Sequence, residues 1–255
     1  MNHPTTQPTG GSNDADDLVI RILAEPGDLR RLVLLFNQVW GTVTPLVGVE
    51  LLRAIGHTGG YLAGAFLRNR MVGGSLGFLG RHHDEVALHS HITGILPGVR
   101  QTGLGRQMKL HQRAWAAEQG LEWITWTFDP LVRRNAWFNI DVLGAQIDAY
   151  LVDFYGQMDD SINGGDPSDR LLVAWPTHET TTDEAGPARV PPGAVTVATP
   201  DDIVVLRRTD PTEAGSWRLR VREELGTLLT EGGRVVGFTR GGEYVVVPAA
   251  GSVER

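Results

Sequence analysis

The amino-acid sequence predicts an α/β fold of the α+β type, in which a mixed β-sheet is covered by helices. Apolar β-propensive segments alternate with segments whose apolar residues recur at helical spacing. Two of the β segments, residues 61–67 and 71–79, are separated by Arg68-Asn69-Arg70 and indicate an early hairpin. A third, residues 86–96, leads into a glycine-containing turn that opens a helix. Strands alternating with helices, together with a hairpin, indicate a mixed sheet.

The composition is that of a soluble globular protein. A chain of 255 residues can bury a sizeable core, and no segment approaches the ~20 consecutive apolar residues of a membrane span, so we expect no membrane partner. A net charge of −7 argues against a nucleic-acid partner. The absence of cysteine excludes disulfides and thiolate metal sites. With no apolar signal-peptide core in residues 1–17, the expected location is cytoplasmic.

The first 176 residues predict a tail and one domain. Residues 1–17 are polar and predict a disordered tail. Pro26 suits the first position of a helix, and Gly41, Gly120 and Gly144 suit helix ends. The predicted elements within residues 18–176 are, in order, strand 18–23, helix 26–40, a short helix 45–55, strands 61–67, 71–79 and 86–96, helix 103–119, strand 122–128, helix 130–143, and strands 146–154 and 171–175.

The last 79 residues predict a linker and a small appended unit. Residues 177–199 are rich in Thr, Glu, Ala and Pro without periodicity and predict a linker. Within residues 200–255, Asp210 and Pro211 open a helix, and Gly241-Gly242 turns a terminal hairpin. A unit of about 50 residues buries an independent core with difficulty, so we expect it to dock on the main sheet.

The turn after the third β segment has the features of an anion site. Gly103 and Gly105 lie where a strand passes into a helix, and the first amides of a helix have no intrahelical acceptors. Such glycines alone are more often a tight connection. The spacing is not the dinucleotide fingerprint, and no lysine follows as in a P-loop.

The wider phrase Arg100-x-x-Gly103-x-Gly105 resembles the acyl-CoA loop of the GNAT superfamily of N-acetyltransferases. Asn135-Ala136 and Leu143-Gly144 extend the resemblance to a bacterial branch of predicted acetyltransferases. It implies a GNAT-like acyl-CoA N-acyltransferase fold with a small C-terminal helix-hairpin extension, and acetyl-CoA or another acyl-CoA as co-substrate, with no metal. The coenzyme-binding residues that the resemblance implies are Ile95, Leu96, Arg100, Gln101, Thr102, Gly103, Leu104, Gly105, Arg106 and Asn135.

Two residues are candidates for proton transfer in acyl transfer. His91 is two residues from His89, and alternation in a regular strand would place both on one face with Thr93 and Ile95. A hydrogen-bonded structural histidine is the alternative, and a metal role lacks a third ligand. Tyr155 is the candidate acid, because the helix at 130–143 lacks the tyrosine that the family often places there. Tyr150 or water could protonate the thiolate instead.

Three charged residues could have either a functional or a structural role. Helix capping fully explains Asp129, which precedes Pro130, and a second role as a base is the weaker alternative. Arg218 and Arg222 share a helix face that could receive an acceptor carboxylate, although a solvated face explains them better.

The sequence therefore predicts an N-acyltransferase that moves an acetyl or other short acyl group to a small-molecule amine by direct attack in a ternary complex. A non-catalytic acyl-CoA sensor is the alternative, and a nucleotide-binding protein using the same turn is a third reading. A homodimer is left open.

Overall fold

The computed structural model describes residues 18–100, 102–156, 167–178 and 190–250. The predicted tail, most of the predicted linker and the candidate Gln101 lie outside the described residues. Among the described residues, no helix combines the length and the apolar character that a membrane crossing needs.

The first half of the chain follows the predicted order of elements. Pro26 is at the start of its helix, and Gly41 ends that helix in the left-handed conformation, with φ 65°. The second strand of the early hairpin ends at His82, three residues beyond the predicted end at residue 79. These elements are β1 (Leu18–Ile22), α1 (Pro26–Trp40), α2 (Val49–His57), β2 (Tyr61–Leu67), β3 (Arg70–His82) and β4 (Glu85–Ile95).

The middle of the chain also keeps the predicted order, with one local difference. The helix predicted at 130–143 begins only at Arg133, and from Phe138 to Val142 it continues as a π-helical turn. The remaining elements of this part are α3 (Leu104–Glu118), β5 (Trp123–Phe128), α4 (Arg133–Trp137), β6 (Gln146–Leu151) and β7 (Arg170–Pro176).

The main sheet has seven strands in the order β1-β2-β3-β4-β5-β7-β6. All neighbouring strands are antiparallel except β4 and β5, which run parallel. The predicted mixed sheet is therefore confirmed. The parallel pair lies inside the sheet, so any opening between its strands is flanked on both sides by well-paired structure.

The C-terminal unit contains two elements that the sequence analysis missed. Residues 195–198, which were predicted as linker, form a strand that pairs with residues 243–246 of the terminal hairpin. Asp202 caps a short helix by accepting from the amides of Val204 and Val205. The unit comprises β8 (Val195–Ala198), α5 (Ile203–Thr209), α6 (Pro211–Thr230), β9 (Arg234–Phe238) and β10 (Glu243–Val247), and its strands form a sheet ordered β8-β10-β9.

This unit shares a hydrophobic core with the main sheet. Buried side chains of α6 and β10, such as Val221 and Tyr244, cluster with Phe128 and Leu171 of the main sheet. The Tyr244 hydroxyl donates to the Pro130 carbonyl at 2.7 Å. Burial of a common apolar surface explains how a short segment becomes ordered.

A buried ion-pair network crosses the same interface and corrects the sequence analysis at three charged residues. Arg218 is 1 % exposed and donates twice to the Asp129 carboxylate, at 2.8 and 3.0 Å. Arg207 donates to Asp129 as well, and Arg222 binds Asp169. The face of α6 that carries Arg218 and Arg222 is thus packed against the main domain. Asp129 does accept from the Leu131 amide, but capping is only part of its role.

Candidate functional site

Strands β4 and β5 are paired over two residues and then separate. Their register comprises only Leu88 with Ile124 and His89 with Thr125. Beyond these pairs, β4 continues to Ile95 along β3, and β5 continues to Phe128 along β7. The two strands therefore diverge and leave a gap, lined on each side by one strand, in the middle of the sheet.

The amide of Ile95 points into this gap. The Leu96 amide donates to the Val72 carbonyl at 2.9 Å, and hydrogen-bonded pairs alternate with non-hydrogen-bonded pairs along an antiparallel ladder. Ile95, opposite Gly73, is therefore in a non-hydrogen-bonded pair, with its N–H and C=O turned away from β3. Of the two predicted strand amides, that of Ile95 is available to a ligand and that of Leu96 is used by the fold.

The turn between β4 and α3 is compact. A 3-10 turn spans Pro97–Val99, and the Val99 carbonyl accepts from the Thr102 hydroxyl at 2.8 Å. The Arg100 Nε donates to the Ile95 carbonyl at 3.1 Å, which leaves the other guanidinium nitrogens toward solvent. Gly103 adopts φ 78°, a left-handed conformation that favours glycine, and its carbonyl accepts the first helical bond.

The first turn of α3 presents free backbone donors. No side chain caps the helix, and among the described residues no acceptor binds the amides of Leu104, Gly105 and Arg106. Leu104 is buried, so only its amide can serve a ligand. Arg100 and Arg106 are exposed and place two cationic groups beside these donors. Helix dipole, amides and guanidiniums together favour an anion such as a diphosphate.

The turn lies beside the gap and beside the helix that follows β5. A Cβ atom on Gly105 would lie 3.5 Å from Ile95 Cδ1 and 3.7 Å from Phe138 Cζ. The start of α3 is thus in van der Waals range of the end of β4 and of the π-helical turn after α4. A ligand held by the α3 amides has a direct route into the gap.

Asn135 is on the face of α4 that is turned toward β5. It shares a helix face with Asn139, which is buried and accepts from the Trp126 indole nitrogen at 3.1 Å. The Asn135 side chain is half-buried, and among the described residues it makes no hydrogen bond. An amide group with free donors and acceptors suits the pantetheine arm of a coenzyme.

A β-bulge in β4 changes which side chains share a face of the sheet with His89 and His91. Leu76 is opposite Ile92 and Gly77 is opposite Ser90, so His91 is the extra residue of β4. The Thr93 hydroxyl lies 2.9 Å from that of Ser75, to which Gln112 of α3 donates, and Ile95 faces Gly105. Thr93 and Ile95 are therefore on the α3 side of the sheet and not, as predicted, on the face of the two histidines.

Both histidines remain on the opposite face. The Phe78 ring lies 5.3 Å from that of His89 and 5.4 Å from that of His91. His89 Nδ1 lies 3.0 Å from the Thr125 hydroxyl and spans the base of the gap, and burial lowers the pKa of His89 to about 4. His91 reaches the surface at the bulge, but its ring packs beside Phe78, and the desolvation there lowers its pKa. A neutral imidazole at neutral pH can accept a proton.

Tyr155 approaches the same face from beyond β6. Its hydroxyl lies 3.2 Å from that of Thr127, and its amide donates to the Ser168 hydroxyl at 2.7 Å. Thr125 and Thr127 are two residues apart on β5, so His89 and Tyr155 meet β5 on one face. His91 and Tyr155 flank the gap without touching each other. Tyr150 donates to Asp169 at 2.7 Å and is used by the fold.

Lys109 was missed by the sequence analysis. Its ammonium donates to the Ser90 hydroxyl at 2.9 Å and to Gln112 at 3.2 Å, and lies 3.7 Å from the centre of the Trp126 ring. Burial lowers its pKa to about 7. The signal was in the composition, because Lys109 is the only lysine of the chain.

Comparison with solved structures identifies the fold. A probable acetyltransferase from Staphylococcus epidermidis superposes with a TM-score of 0.52 at 15% identity, covering 64% of this chain and all of its own. A GNAT-family acetyltransferase from Streptococcus pneumoniae gives 0.50 at 20% identity, with 63% of this chain and 99% of its own covered. The fold is that of the GNAT acetyltransferases.

A third structure with this fold contains a cofactor. It is yncA of Salmonella typhimurium with acetyl-CoA, which superposes with a TM-score of 0.50 at 16% identity and covers 66% of this chain and 99% of its own. The sequence itself matches no protein-family model and no curated protein. The gap between β4 and β5 and the glycine turn of α3 thus lie in a GNAT fold.

Proposed function

We propose that this protein is an acyl-CoA-dependent N-acyltransferase that transfers an acetyl or other short acyl group to a small-molecule amine. The observation that carries the proposal is the first turn of α3, whose amides meet no acceptor in the part of the chain that the structure describes and lie beside the gap between β4 and β5. An anion site next to a slot in a sheet fits a coenzyme with a diphosphate and a long, narrow thioester arm.

Each part of the coenzyme has a counterpart in the chain. The diphosphate would lie on the amides of residues 103–106, with Arg100 and Arg106 neutralising its charge. The pantetheine arm would follow the gap past Asn135, and the Ile95 amide is turned to donate to a group inside the gap. Gln101 keeps its predicted role in this turn as a proposal.

The reaction needs a proton acceptor and a proton donor. The amine nitrogen attacks the thioester carbonyl carbon, the C–N bond forms and the C–S bond breaks. His91, neutral at the β4 bulge, would take the amine proton. Tyr155 or water would protonate the departing thiolate. Direct attack in a ternary complex agrees with a chain that has no cysteine to carry the acyl group.

The acceptor is proposed to be a small amine because the histidine face of the gap combines aromatic surface with neutral polar groups. Phe78 is 36 % and Tyr155 is 40 % exposed there. Partly exposed rings beside an imidazole suit an amine on an apolar body. A homodimer and a cytoplasmic location stay predictions.

The test is binding followed by turnover. Titration of the full chain with acetyl-CoA should show saturable binding of one equivalent, and thiol release should then appear with at least one member of a panel of small amines. Failure to bind any acyl-CoA would overturn the proposal. A rise in the melting temperature with ATP or NAD but not with coenzyme A would favour a nucleotide-binding protein.

A non-catalytic acyl-CoA sensor is the second candidate. The observation that favours it is the helix after β5, where Trp137, Phe138 and Ile140 offer no group that could protonate a thiolate. Tyr155 must supply this function from another segment, and its hydroxyl already contacts Thr127. Tight acyl-CoA binding without thiol release across the whole panel would select the sensor.

A further inference from the structure

The tip of the β3–β4 hairpin brings two histidines against a carboxylate of a distant strand. His82 is the last residue of β3, His83 follows it in the turn, and Asp148 is in β6. His82 Nδ1 lies 3.9 Å from Asp148 Oδ2, and one potential ligand atom from each of the three residues lies within 4.8 Å of the others. The group combines residues that the sequence separates widely, so the fold assembles it.

The backbone at the turn sets the two imidazoles side by side. In an extended strand, successive side chains point to opposite faces and could not share a ligand. His83 adopts φ 50°, a left-handed conformation that costs a non-glycine residue about 1 kcal/mol or more. This conformation brings the centres of the two rings to 4.1 Å.

A β-bulge in β6 sets the direction of the Asp148 carboxylate. Ile147 pairs with Val173 and Ala149 pairs with Leu172, which leaves Asp148 as the extra residue of a bulge in β6. A β-bulge re-aims the side chain that it carries. Two departures from regular strand geometry, one in each partner, therefore converge on the same point.

The spacing and chemistry fit a metal ion better than a direct contact. A separation of 3.9 Å is too long for a hydrogen bond, and among the described residues the three side chains make no other hydrogen bond. One Zn²⁺ ion with tetrahedral bonds of about 2.0–2.2 Å holds a nitrogen and an oxygen about 3.4 Å apart, so these two atoms need to approach by only about 0.5 Å to bind it. Imidazole and carboxylate together are typical zinc ligands.

We propose that His82, His83 and Asp148 bind one divalent transition-metal ion, with Zn²⁺ the best match to this ligand set. His82 is buried, whereas His83 and Asp148 are exposed, so the ion would have a water-accessible fourth position. Its effect would be to fasten the hairpin tip to β6. His82 is four residues from Phe78 along β3, so the ion stands apart from the acyl-transfer gap.

From the sequence we predicted no metal, because the pair His89 and His91 lacks a third ligand. Those two residues lie in a strand, and their ring centres are 6.2 Å apart. His82 and His83 lie between the predicted strands 71–79 and 86–96, and no sequence signal connects them with Asp148.

The experiment is a titration of the full chain, first treated with a chelator, with Zn²⁺ and with Co²⁺. We expect one equivalent of Zn²⁺ to bind and to raise the melting temperature, and Co²⁺ to produce visible d–d bands. Asp148→Asn and His83→Gln change exposed side chains, and each should weaken Zn²⁺ binding about tenfold or more because a ligand is lost.

His57→Gln is the matched control, since His57 is an exposed histidine at the end of α2. It should bind Zn²⁺ like the wild type. The circular dichroism of each variant without metal would establish that the fold is retained. The proposal is overturned if the wild type takes up no Zn²⁺, or if Asp148→Asn and His83→Gln bind it with unchanged affinity. Acetyl-CoA binding plays no part in this readout.

Discussion

The Lys109 ammonium lies over the Trp126 ring, 3.7 Å from its centre, at the level where β4 and β5 separate. The last residues of the two strands in register are His89 and Thr125. The next residue of each strand, Ser90 and Trp126, contacts Lys109 instead of its counterpart. A cation–π contact and a hydrogen bond thus replace the next step of the strand ladder. We infer that Lys109 supports the start of the gap.

The titration of Lys109 can be observed directly, because no other lysine is present in the chain. Burial lowers its pKa to about 7. We expect the side-chain signal of protein labelled with isotopic lysine to titrate as a single transition near neutral pH. A transition near the ordinary lysine value of about 10.4 would show that the ammonium reaches water.

Stability should depend on the same titration. The folded-state pKa is below the unfolded one, so the unfolded chain binds more protons between about pH 7 and pH 10, and stability should rise with pH across that range. Lys109→Met removes this dependence. We expect the unfolding free energy of the wild type, relative to Lys109→Met, to increase by up to about 1.4 kcal/mol per pH unit. Denaturant titrations at several pH values measure it, and parallel profiles would contradict it.

The glycine turn can be tested with a pair of equivalent substitutions. Gly103 and Gly120 are at opposite ends of α3, have φ of 78° and 73°, and have open space within 4 Å of where a methyl group would lie. Gly103→Ala and Gly120→Ala should therefore cost similar stability, about 1–2 kcal/mol. Only Gly103→Ala should weaken acetyl-CoA binding, because its methyl group and altered backbone disturb the amides of the turn.

Calorimetric affinities of both variants would decide this prediction. Equal affinities in the two variants would mean that the turn is only a tight connection between a strand and a helix. A loss confined to Gly103→Ala would locate the diphosphate on this turn.

His91 should control the acid side of the pH profile. Its pKa is lowered by burial, so the base form should dominate at neutral pH, and kcat/KM should fall as the pH drops below the ordinary imidazole value of about 6.5. His91→Gln should lower kcat about 100-fold or more and flatten this limb. His57→Gln should keep the wild-type profile. An unchanged acid limb in His91→Gln would remove this residue from the role of base.

The order of elements in the main domain was predictable because each element has a local signal. Pro26 and Gly41 bound one helix, and the turn Arg68-Asn69-Arg70 fixes the hairpin. The glycine turn could be placed at the start of a helix for the same reason. These predictions depended on residues that are close in sequence.

The features that could not be predicted depend on contacts between residues that are far apart in the sequence. The bulge at His91 is defined by its pairing with β3, and it moved Thr93 and Ile95 to the other face. Strand β8 is only four residues long and needs β10 to order it. Arg218 looked like a solvated residue because periodicity does not reveal Asp129, which is 89 positions away. Pairing and burial, which decide such cases, are not local properties.

The contact between Arg218 and Asp129 should control the stability of the interface with the C-terminal unit. Burial alone would raise the pKa of Asp129, but the guanidiniums of Arg218 and Arg207 outweigh it and hold this pKa well below its ordinary value. Arg218→Met removes two hydrogen bonds to a buried carboxylate. We expect a loss of about 3 kcal/mol in the free energy of unfolding at neutral pH, the lower end of the range for breaking buried ion pairs, because Arg207 still binds Asp129.

Arg208→Met, on the exposed side of α5, is the control and should change stability by less than about 0.5 kcal/mol. Because the folded-state pKa of Asp129 is depressed, its contribution is present above the unfolded value of about 3.9 and declines as the pH falls below it. The difference between the wild type and Arg218→Met should therefore shrink in acid. Denaturant unfolding at pH 7 and in acid would test both points, and a small difference at pH 7 would mean that apolar burial alone holds the unit in place.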